Sequence, residues 1–184
     1  MSVEEVERAR RGDHDAFASL IGEAVNRMYA LASLILRDTD RAQDATQEAI
    51  VRAWRELPKL RDPERFQAWL RRMVVNACYD EGRRIHRRAE VSLVHLSDRH
   101  VVDPTSAFVE RDRIERAFRR LPLDQRSALV LQHQFGMSHT EIADSLEIPV
   151  GTVKSRLRYG TAAMRASLEA DDRVDSASAD GRTA

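Results

Sequence analysis

The sequence has little of what builds covalent cross-links or membrane spans. Its single cysteine, Cys78, excludes an internal disulfide bond and leaves no cysteine cluster for zinc. No run of about 18 apolar residues occurs, so we expect no membrane insertion. Residues 2–13, SVEEVERARRGD, are too charged for a targeting segment. We therefore predict a soluble, cytoplasmic protein.

Recognisable catalytic motifs are also missing. The chain has no Gly-rich phosphate loop, no nucleophile elbow and no metal-ligand pair. Its six histidines lie on scattered segments, and none has a partner at the fourth following position. We predict that the protein is not an enzyme and needs no cofactor.

The overall charge hides a segregated pattern. Thirty basic and 30 acidic residues cancel, which would argue weakly against a nucleic-acid partner. However, six arginines lie between residues 71 and 88, and five acidic residues lie between 169 and 184. A net charge of zero therefore does not exclude a nucleic-acid partner.

Residues 136–159 carry the clearest local signal. Ser138 and Glu141 form an S-x-x-E capping box, which predicts a helix start. Pro149 ends that helix, and a second one follows with Val153 and Leu157 on its apolar face. Two short helices joined by a tight turn are typical of a DNA-binding helix-turn-helix. The alternative is a helical hairpin with a solvated basic face.

The outer face of the second helix carries Lys154, Ser155 and Arg158. Lysine and arginine donate to guanine in the major groove, and serine pairs with several base edges. The sequence therefore predicts a recognition helix.

Apolar stripes with helical spacing run through the first half of the chain. The predicted helices are Val3–Arg10, His14–Arg37, Arg41–Leu57 with Asp40 as N-cap, and a helix that opens at Asp62–Pro63. Phe66 and Trp69 share an apolar stripe, which favours packing over base stacking. We take residues 1–88 as one helical domain.

The second half is predicted to contain a linker, a second helical domain and a tail. Periodicity fades over residues 89–107, which we interpret as a linker. Residues 108–168 form a four-helix domain that includes the helix-turn-helix, and residues 169–184 are expected to be disordered. The predicted fold class is all-α, with two small helical domains joined by a flexible linker.

The predicted 41–57 helix has one polar face, with Asp44, Gln47 and Glu48. These acceptors could dock a basic partner helix. An ordinary solvated face explains the same pattern.

Three stretches resemble a known family. Residues 44–54 resemble its D-x-x-Q-E-x-F-x-x-x-W segment. Residues 66–70, with Asn76 and Arg83–Arg84, resemble its F-x-x-W-L segment and the N and R-R positions that follow. Leu121–Pro122 and residues 148–157 resemble its fourth region. Over residues 10–168 the chain resembles bacterial RNA polymerase sigma factors of the extracytoplasmic-function (ECF) group.

The resemblance implies that the chain has two macromolecular partners, core RNA polymerase and promoter DNA, and a further one in an anti-sigma factor. The polar face around Asp44, Gln47 and Glu48 would dock on a coiled coil of the largest polymerase subunit. The linker would thread toward the active-site cleft of the polymerase.

The resemblance also implies two promoter contacts. At the minus-ten element Asn76 would recognise a captured base, and phosphates would be bound by Arg72, Arg83 and Arg84. The rim of that base pocket would be Leu60, Arg61 and Asp62. At the minus-thirty-five duplex the candidates are Thr152, Lys154, Ser155, Arg158 and Tyr159, while Arg156 could equally be structural.

Two departures from the family pattern bear on these expectations. Thr46 and Ile50 replace larger apolar residues, so we expect lighter packing there. Gly160–Ala163 replaces a basic run, and a glycine inside a helix costs about 1 kcal/mol.

Two other functions fit part of the pattern: a free-standing helix-turn-helix regulator, which would bind duplex DNA alone, and a helical adaptor that binds only protein.

Overall fold

A computed structural model describes residues 2–91 and 106–180, with side chains described for 2–85 and 112–173. These residues form helices and turns, without a strand, which confirms the all-α class. The predicted linker falls largely on residues 92–105, outside the described part. The helices are α1 (Val3–Arg10), α2 (His14–Leu36), α3 (Thr39–Glu56), α4 (Phe66–Val91), α5 (Ser106–Arg119), α6 (Leu123–His133), α7 (His139–Leu146) and α8 (Val150–Asp180).

Side-chain caps set the starts of the early helices. The Asp13 carboxylate accepts from the Ala16 backbone N–H at 3.0 Å, and α2 begins at His14, the predicted start. The prediction of Asp40 as the next N-cap is wrong. Asp38 accepts from the Arg41 N–H at 3.0 Å instead, and α3 starts at Thr39.

The helix predicted to open at Asp62–Pro63 begins with a short turn. Asp62 accepts from the Glu64 N–H at 3.0 Å and caps a 3-10 turn, Pro63–Arg65. Proline fits there because its missing N–H would have no helical partner. The α-helix proper starts at Phe66.

Large apolar residues of α2 and α4 close around the alanines of α3. Phe66 is fully buried, as are Leu20 and Leu31, which is the packing role predicted for Phe66. Thr46 is also buried, and its hydroxyl donates to the Ala42 carbonyl at 2.6 Å, so burying it leaves no unpaired donor.

The helix-turn-helix forms as the capping residues predict. Ser138 and Glu141 complete both halves of the capping box. Glu147 takes a left-handed conformation, with φ of 53°, and ends α7 two residues before Pro149. Ile142, Val153 and Leu157 are buried in the core of this domain.

The expectation of a disordered tail is wrong for residues 169–180, which extend α8. Arg113 of α5 and Arg120, the residue after α5, contact the start of this extension. Arg113 pairs with Asp172, and it donates to the Leu168 carbonyl at 3.1 Å. Arg120 lies 3.6 Å from Asp171 and donates to Ser167 at 3.0 Å. Asp171 and Asp172 therefore have basic partners within the C-terminal domain.

The helices of the two halves contact each other. Helix α7 lies against α4, and α6 lies against α2 and α4. Buried residues of both halves form one connected core. Among the described helices, none combines the length and apolar character that crossing a bilayer requires.

Candidate polymerase and nucleic-acid interfaces

The polar face of α3 is open to solvent. Asp44 and Gln47 are exposed, and the Glu48 side chain is half-exposed. Ala45 and Ala49, on the opposite face, are buried. The helix therefore presents three acceptors together on one side.

Glu48 belongs to an ion-pair chain that links α3 to α4. The Arg52 guanidinium lies 2.9 Å from the Glu48 carboxylate and 2.7 Å from that of Asp80. Hydrogen bonds to Asp80 and then Glu48 raise the pKa of Arg52. Partial burial would raise the pKa of Asp80, but hydrogen bonds from Arg52 and Arg83 outweigh it and lower that pKa. If Glu48 is replaced, the ion pair between Arg52 and Asp80 should still join α3 to α4.

The three α4 arginines predicted to face the minus-ten element already have acidic partners. Arg72 pairs with Glu147, in the turn of the helix-turn-helix. Arg83 pairs with Asp80, and Arg84 pairs with Glu81 at 3.4 Å. Asn76 is half-buried, about one helical turn after Arg72.

The predicted pocket rim divides between core and surface. Leu60 is 7% exposed and packs in the core, whereas Arg61 and Asp62 are exposed. Leu60 also lines a cleft of about 420 Å³ between α4 and α7, with Trp69 and Arg72. Two of the predicted minus-ten residues, Leu60 and Arg72, therefore line this cleft.

The predicted recognition helix is the first part of α8. Lys154 and Arg158 are exposed, and Tyr159 is 56% exposed. The Arg158 guanidinium lies 4.8 Å from the Tyr159 ring centroid and donates to its hydroxyl at 3.0 Å. The Ser155 hydroxyl donates to the Thr152 carbonyl at 2.9 Å, and both residues are half-buried.

Three further polar residues lie beside this surface. Gln132, His139 and Arg165 line a groove of about 460 Å³ with Lys154 and Arg158. Arg165 is eleven residues after Lys154, and that spacing returns to the same face of a helix. Its position was therefore readable from the sequence. The contact of His139 with Gln132, at 3.2 Å, depends on the packing of α6 against α7.

Arg156 lies on the inner side of α8. Its guanidinium is 3.2 Å from the Asp124 carboxylate and donates to the Tyr79 hydroxyl at 3.4 Å. Burial raises the pKa of Tyr79. These contacts support a structural role for Arg156, which was the alternative to a contact with DNA.

Two family models match the chain. The model for Sigma-70 region 2 matches residues 20–88, which include α3 and most of α4. The model for Sigma-70 region 4 matches residues 111–163, which include the helix-turn-helix. The matches thus fall on the two halves that contain the candidate interfaces.

Relatives resemble the chain over most of its length. It is 32% identical to the RNA polymerase sigma-H factor of Pseudomonas aeruginosa, over 89% of this chain and 92% of that protein. It is 30% identical to the ECF RNA polymerase sigma factor SigW of Bacillus subtilis, over 91% and 97%.

Solved structures show the same fold. CnrH, solved in complex with the cytosolic domain of CnrY, is 26% identical with a TM-score of 0.65, covering 92% of this chain and 97% of that one. The sigma factor RpoE of Bartonella quintana, solved with the anti-sigma factor NepR, has a TM-score of 0.68 at 22% identity, over 84% and 98%. With the family models and relatives, this shows that the chain belongs to the extracytoplasmic-function group of bacterial RNA polymerase sigma factors.

Proposed function

We propose that the chain binds core RNA polymerase and directs it to specific promoters, with α4 at the minus-ten element and α8 at the minus-thirty-five element. The observation that carries the proposal is the combination, in one chain, of an exposed acceptor face on α3 and exposed Lys154 and Arg158 on a helix-turn-helix. The protein contributes recognition, and the polymerase performs the chemistry.

The α3 face is suited to a basic protein helix. Its acceptors are exposed, and Glu48 keeps a neighbouring cation, Arg52, at its edge. Charges at the rim of an interface set the association rate and orientation more than the final affinity. Asp44, Gln47 and Glu48 would therefore guide docking on the polymerase.

The two DNA contacts would bind different forms of DNA: duplex at the minus-thirty-five element and single strand at the minus-ten element. Each well-formed bidentate contact from Lys154 or Arg158 to a base edge provides about 1–3 kcal/mol of discrimination. At the minus-ten element Asn76 would hold a base that has left the stack, while Arg72, Arg83 and Arg84 neutralise phosphates. The phosphate part of the affinity would decrease steeply with salt.

A protein inhibitor is part of the proposal. NepR is described as an anti-sigma factor and was solved with a protein of this fold. CnrH, which is more similar in sequence, was solved with the cytosolic domain of CnrY. We extend this mode of control to the present chain, acting in the cytoplasm.

The test is run-off transcription with purified bacterial core polymerase on promoter fragments. Transcripts should appear only when the protein is added. In the Asp44→Ala/Glu48→Ala variant they should fall about tenfold at limiting protein, because two rim charges worth about 0.5–1 kcal/mol each are lost. The fold should persist, since Arg52 keeps its contact with Asp80.

The matched control removes two exposed acids elsewhere. Glu4→Ala/Asp15→Ala makes the same charge change on α1 and α2 and should leave transcription unchanged. An equal loss in both variants would contradict the assignment of the docking face. A chain that gives no transcripts but binds duplex DNA tightly on its own would instead be a free-standing regulator.

A further inference from the structure

A third cleft, larger than the two described above, lies between α4 and the turn that joins α5 to α6. Its volume is about 860 Å³. Tyr79 and Ile85 of α4 line it, together with Leu121 of the turn and Arg126 of α6. Sites for small organic molecules have volumes of roughly 300–1,000 Å³. The cleft is therefore large enough for an organic molecule as well as for a simple ion.

Basic side chains outnumber acidic ones in this cleft. The arginines that line it are Arg83, Arg120 and Arg126. Asp124 is the one carboxylate among the described residues of the lining, and it already lies 3.2 Å from the Arg156 guanidinium. Arg83 is paired with Asp80. The charge of the cleft therefore depends mainly on Arg120 and Arg126.

Arg126 is half-buried and lacks a counter-ion in the described part of the chain. Its guanidinium donates to the Leu121 carbonyl at 3.1 Å. Its Nε is buried and has no hydrogen-bond acceptor among the described residues. A buried donor without an acceptor is unfavourable. An anion bound beside Arg126 would provide both the acceptor and the opposite charge.

Two further arginines raise the positive potential near Arg126. Arg37 and Arg119 share the carboxylate of Glu115, which lies 3.0 Å from Arg119. Burial lowers the pKa of Arg126, and repulsion from Arg119 adds to this shift. Burial, with repulsion from Arg119 and Arg126, lowers the pKa of Arg37 to about 10. The three guanidinium groups thus lie close enough to repel one another, and partial burial strengthens their attraction for an anion.

Another part of the lining is apolar. Leu36 at the end of α2, Ile85 of α4 and Leu121 contribute to it, and Leu121 is 4% exposed. The guanidinium fork matches the oxygens of a phosphate, and its plane stacks on flat rings. Cations beside an apolar wall therefore suit a molecule that has both a phosphate and an apolar or planar part.

We propose that this cleft binds a small phosphorylated ligand of the nucleoside polyphosphate class. Arg126 holds a phosphate inside the cleft, and the base lies against the wall formed by Leu36, Ile85 and Leu121. Arg120 binds the phosphates from the rim. Its side chain is 61% exposed and lies 3.6 Å from Asp171, and an exposed pair of this kind contributes little. Arg120 can therefore exchange Asp171 for a phosphate.

The test is isothermal titration calorimetry of the full-length chain with three probes: GTP, inorganic pyrophosphate and guanosine. GTP carries both the phosphates and the base, so we expect one binding site per chain. Pyrophosphate lacks the base and should bind more weakly, and guanosine lacks the phosphates and should give no measurable heat. Polymerase and DNA are absent, so the result does not depend on the run-off assay.

Substitutions of the two arginines locate the site. Arg126→Gln should weaken GTP binding about tenfold or more, because a charge-assisted hydrogen bond is lost. Arg120→Gln should weaken it by a smaller factor, and this exposed position keeps the test decisive if circular dichroism shows that Arg126→Gln does not fold. The matched control is Arg55→Gln, the same charge change at an exposed position of α3 outside the lining, which should bind GTP like the unsubstituted chain.

A third substitution tests the apolar wall. Ile85→Ala removes apolar contact area without changing the charge, so it should weaken the binding of GTP and leave that of pyrophosphate unchanged. Equal affinities for GTP and pyrophosphate in the unsubstituted chain would overturn the assignment to nucleoside polyphosphates. Absence of binding by both phosphate probes, or the same GTP affinity in Arg120→Gln and Arg55→Gln, would overturn the site itself.

Discussion

Gly160, in α8, offers a quantitative test of how α8 packs on α6. The residue is buried, and a Cβ added there would lie 3.0 Å from Leu129 Cδ1 and 3.3 Å from Gln125 Cβ. The Leu129 side chain can move at its end, but the Gln125 Cβ is fixed to the backbone of α6. An alanine at Gly160 must therefore push the two helices apart.

Two opposing effects determine the result of Gly160→Ala. Alanine favours the helix over glycine by about 1 kcal/mol. An extra methyl group in a closely packed contact costs about 1–3 kcal/mol. We expect a net loss of about 1 kcal/mol in the free energy of unfolding of the C-terminal domain. Glycine at position 160 lowers helix stability, but the close packing of α8 on α6 requires it.

Gly151→Ala is the matched control in the same helix. Gly151 is exposed, and an added Cβ would meet nothing within 4 Å. It lies in the first turn of α8, so alanine should stabilise the domain by about 0.5–1 kcal/mol. The two substitutions are chemically identical, and only their surroundings predict opposite signs.

The assay is urea unfolding followed by circular dichroism and tryptophan fluorescence. Both tryptophans, Trp54 and Trp69, lie in the N-terminal half, so fluorescence reports that domain while circular dichroism reports both. The midpoint of the C-terminal transition should fall for Gly160→Ala and rise for Gly151→Ala. A rise of similar size in both variants would refute the argument from the α6–α8 contact.

Two further predictions concern the capping box and the cysteine. Ser138→Ala should lower the free energy of unfolding by about 1 kcal/mol at neutral pH, measured by urea unfolding. Hydrogen bonds from the Ser138 N–H and hydroxyl lower the pKa of Glu141 below 4.5. The contribution of Glu141 to the free energy of unfolding is therefore complete above that pH and is lost as the pH falls through the folded-state pKa. The difference in free energy of unfolding between Ser138→Ala and the unsubstituted chain should therefore become smaller in acid. Burial raises the pKa of the Cys78 thiol to about 12, so a thiol reagent should label it slowly in the folded chain and rapidly in urea; fast labelling without urea would contradict this burial.

Much of the fold could be predicted from local sequence. The Ser138–Glu141 box and the Asp13 cap set helix starts through contacts made within three residues, so the sequence contains them in full. The Asp38 cap is equally local, because its carboxylate accepts from an N–H three residues on, but the sequence offered two acidic candidates, Asp38 and Asp40. Both lie near the start of α3, and the fold selected the one whose carboxylate reaches the Arg41 N–H.

The exposure of candidate site residues could be predicted from the sequence, but their partners could not. The exposed positions of Lys154 and Arg158 follow from the apolar stripe on the other side of α8. The pairing of Arg72 with Glu147 could not be predicted in this way, because it joins residues 75 positions apart.

The sequence by itself determined the helices, the helix-turn-helix and the surfaces that each helix offers, because caps and apolar periodicity act over a few residues. Only the tertiary structure decided the role of Gly160, the partners of Asp171 and Asp172, and the contact between α7 and α4. Each of these depends on how closely separate helices approach. That distance is set by all the packed side chains between them.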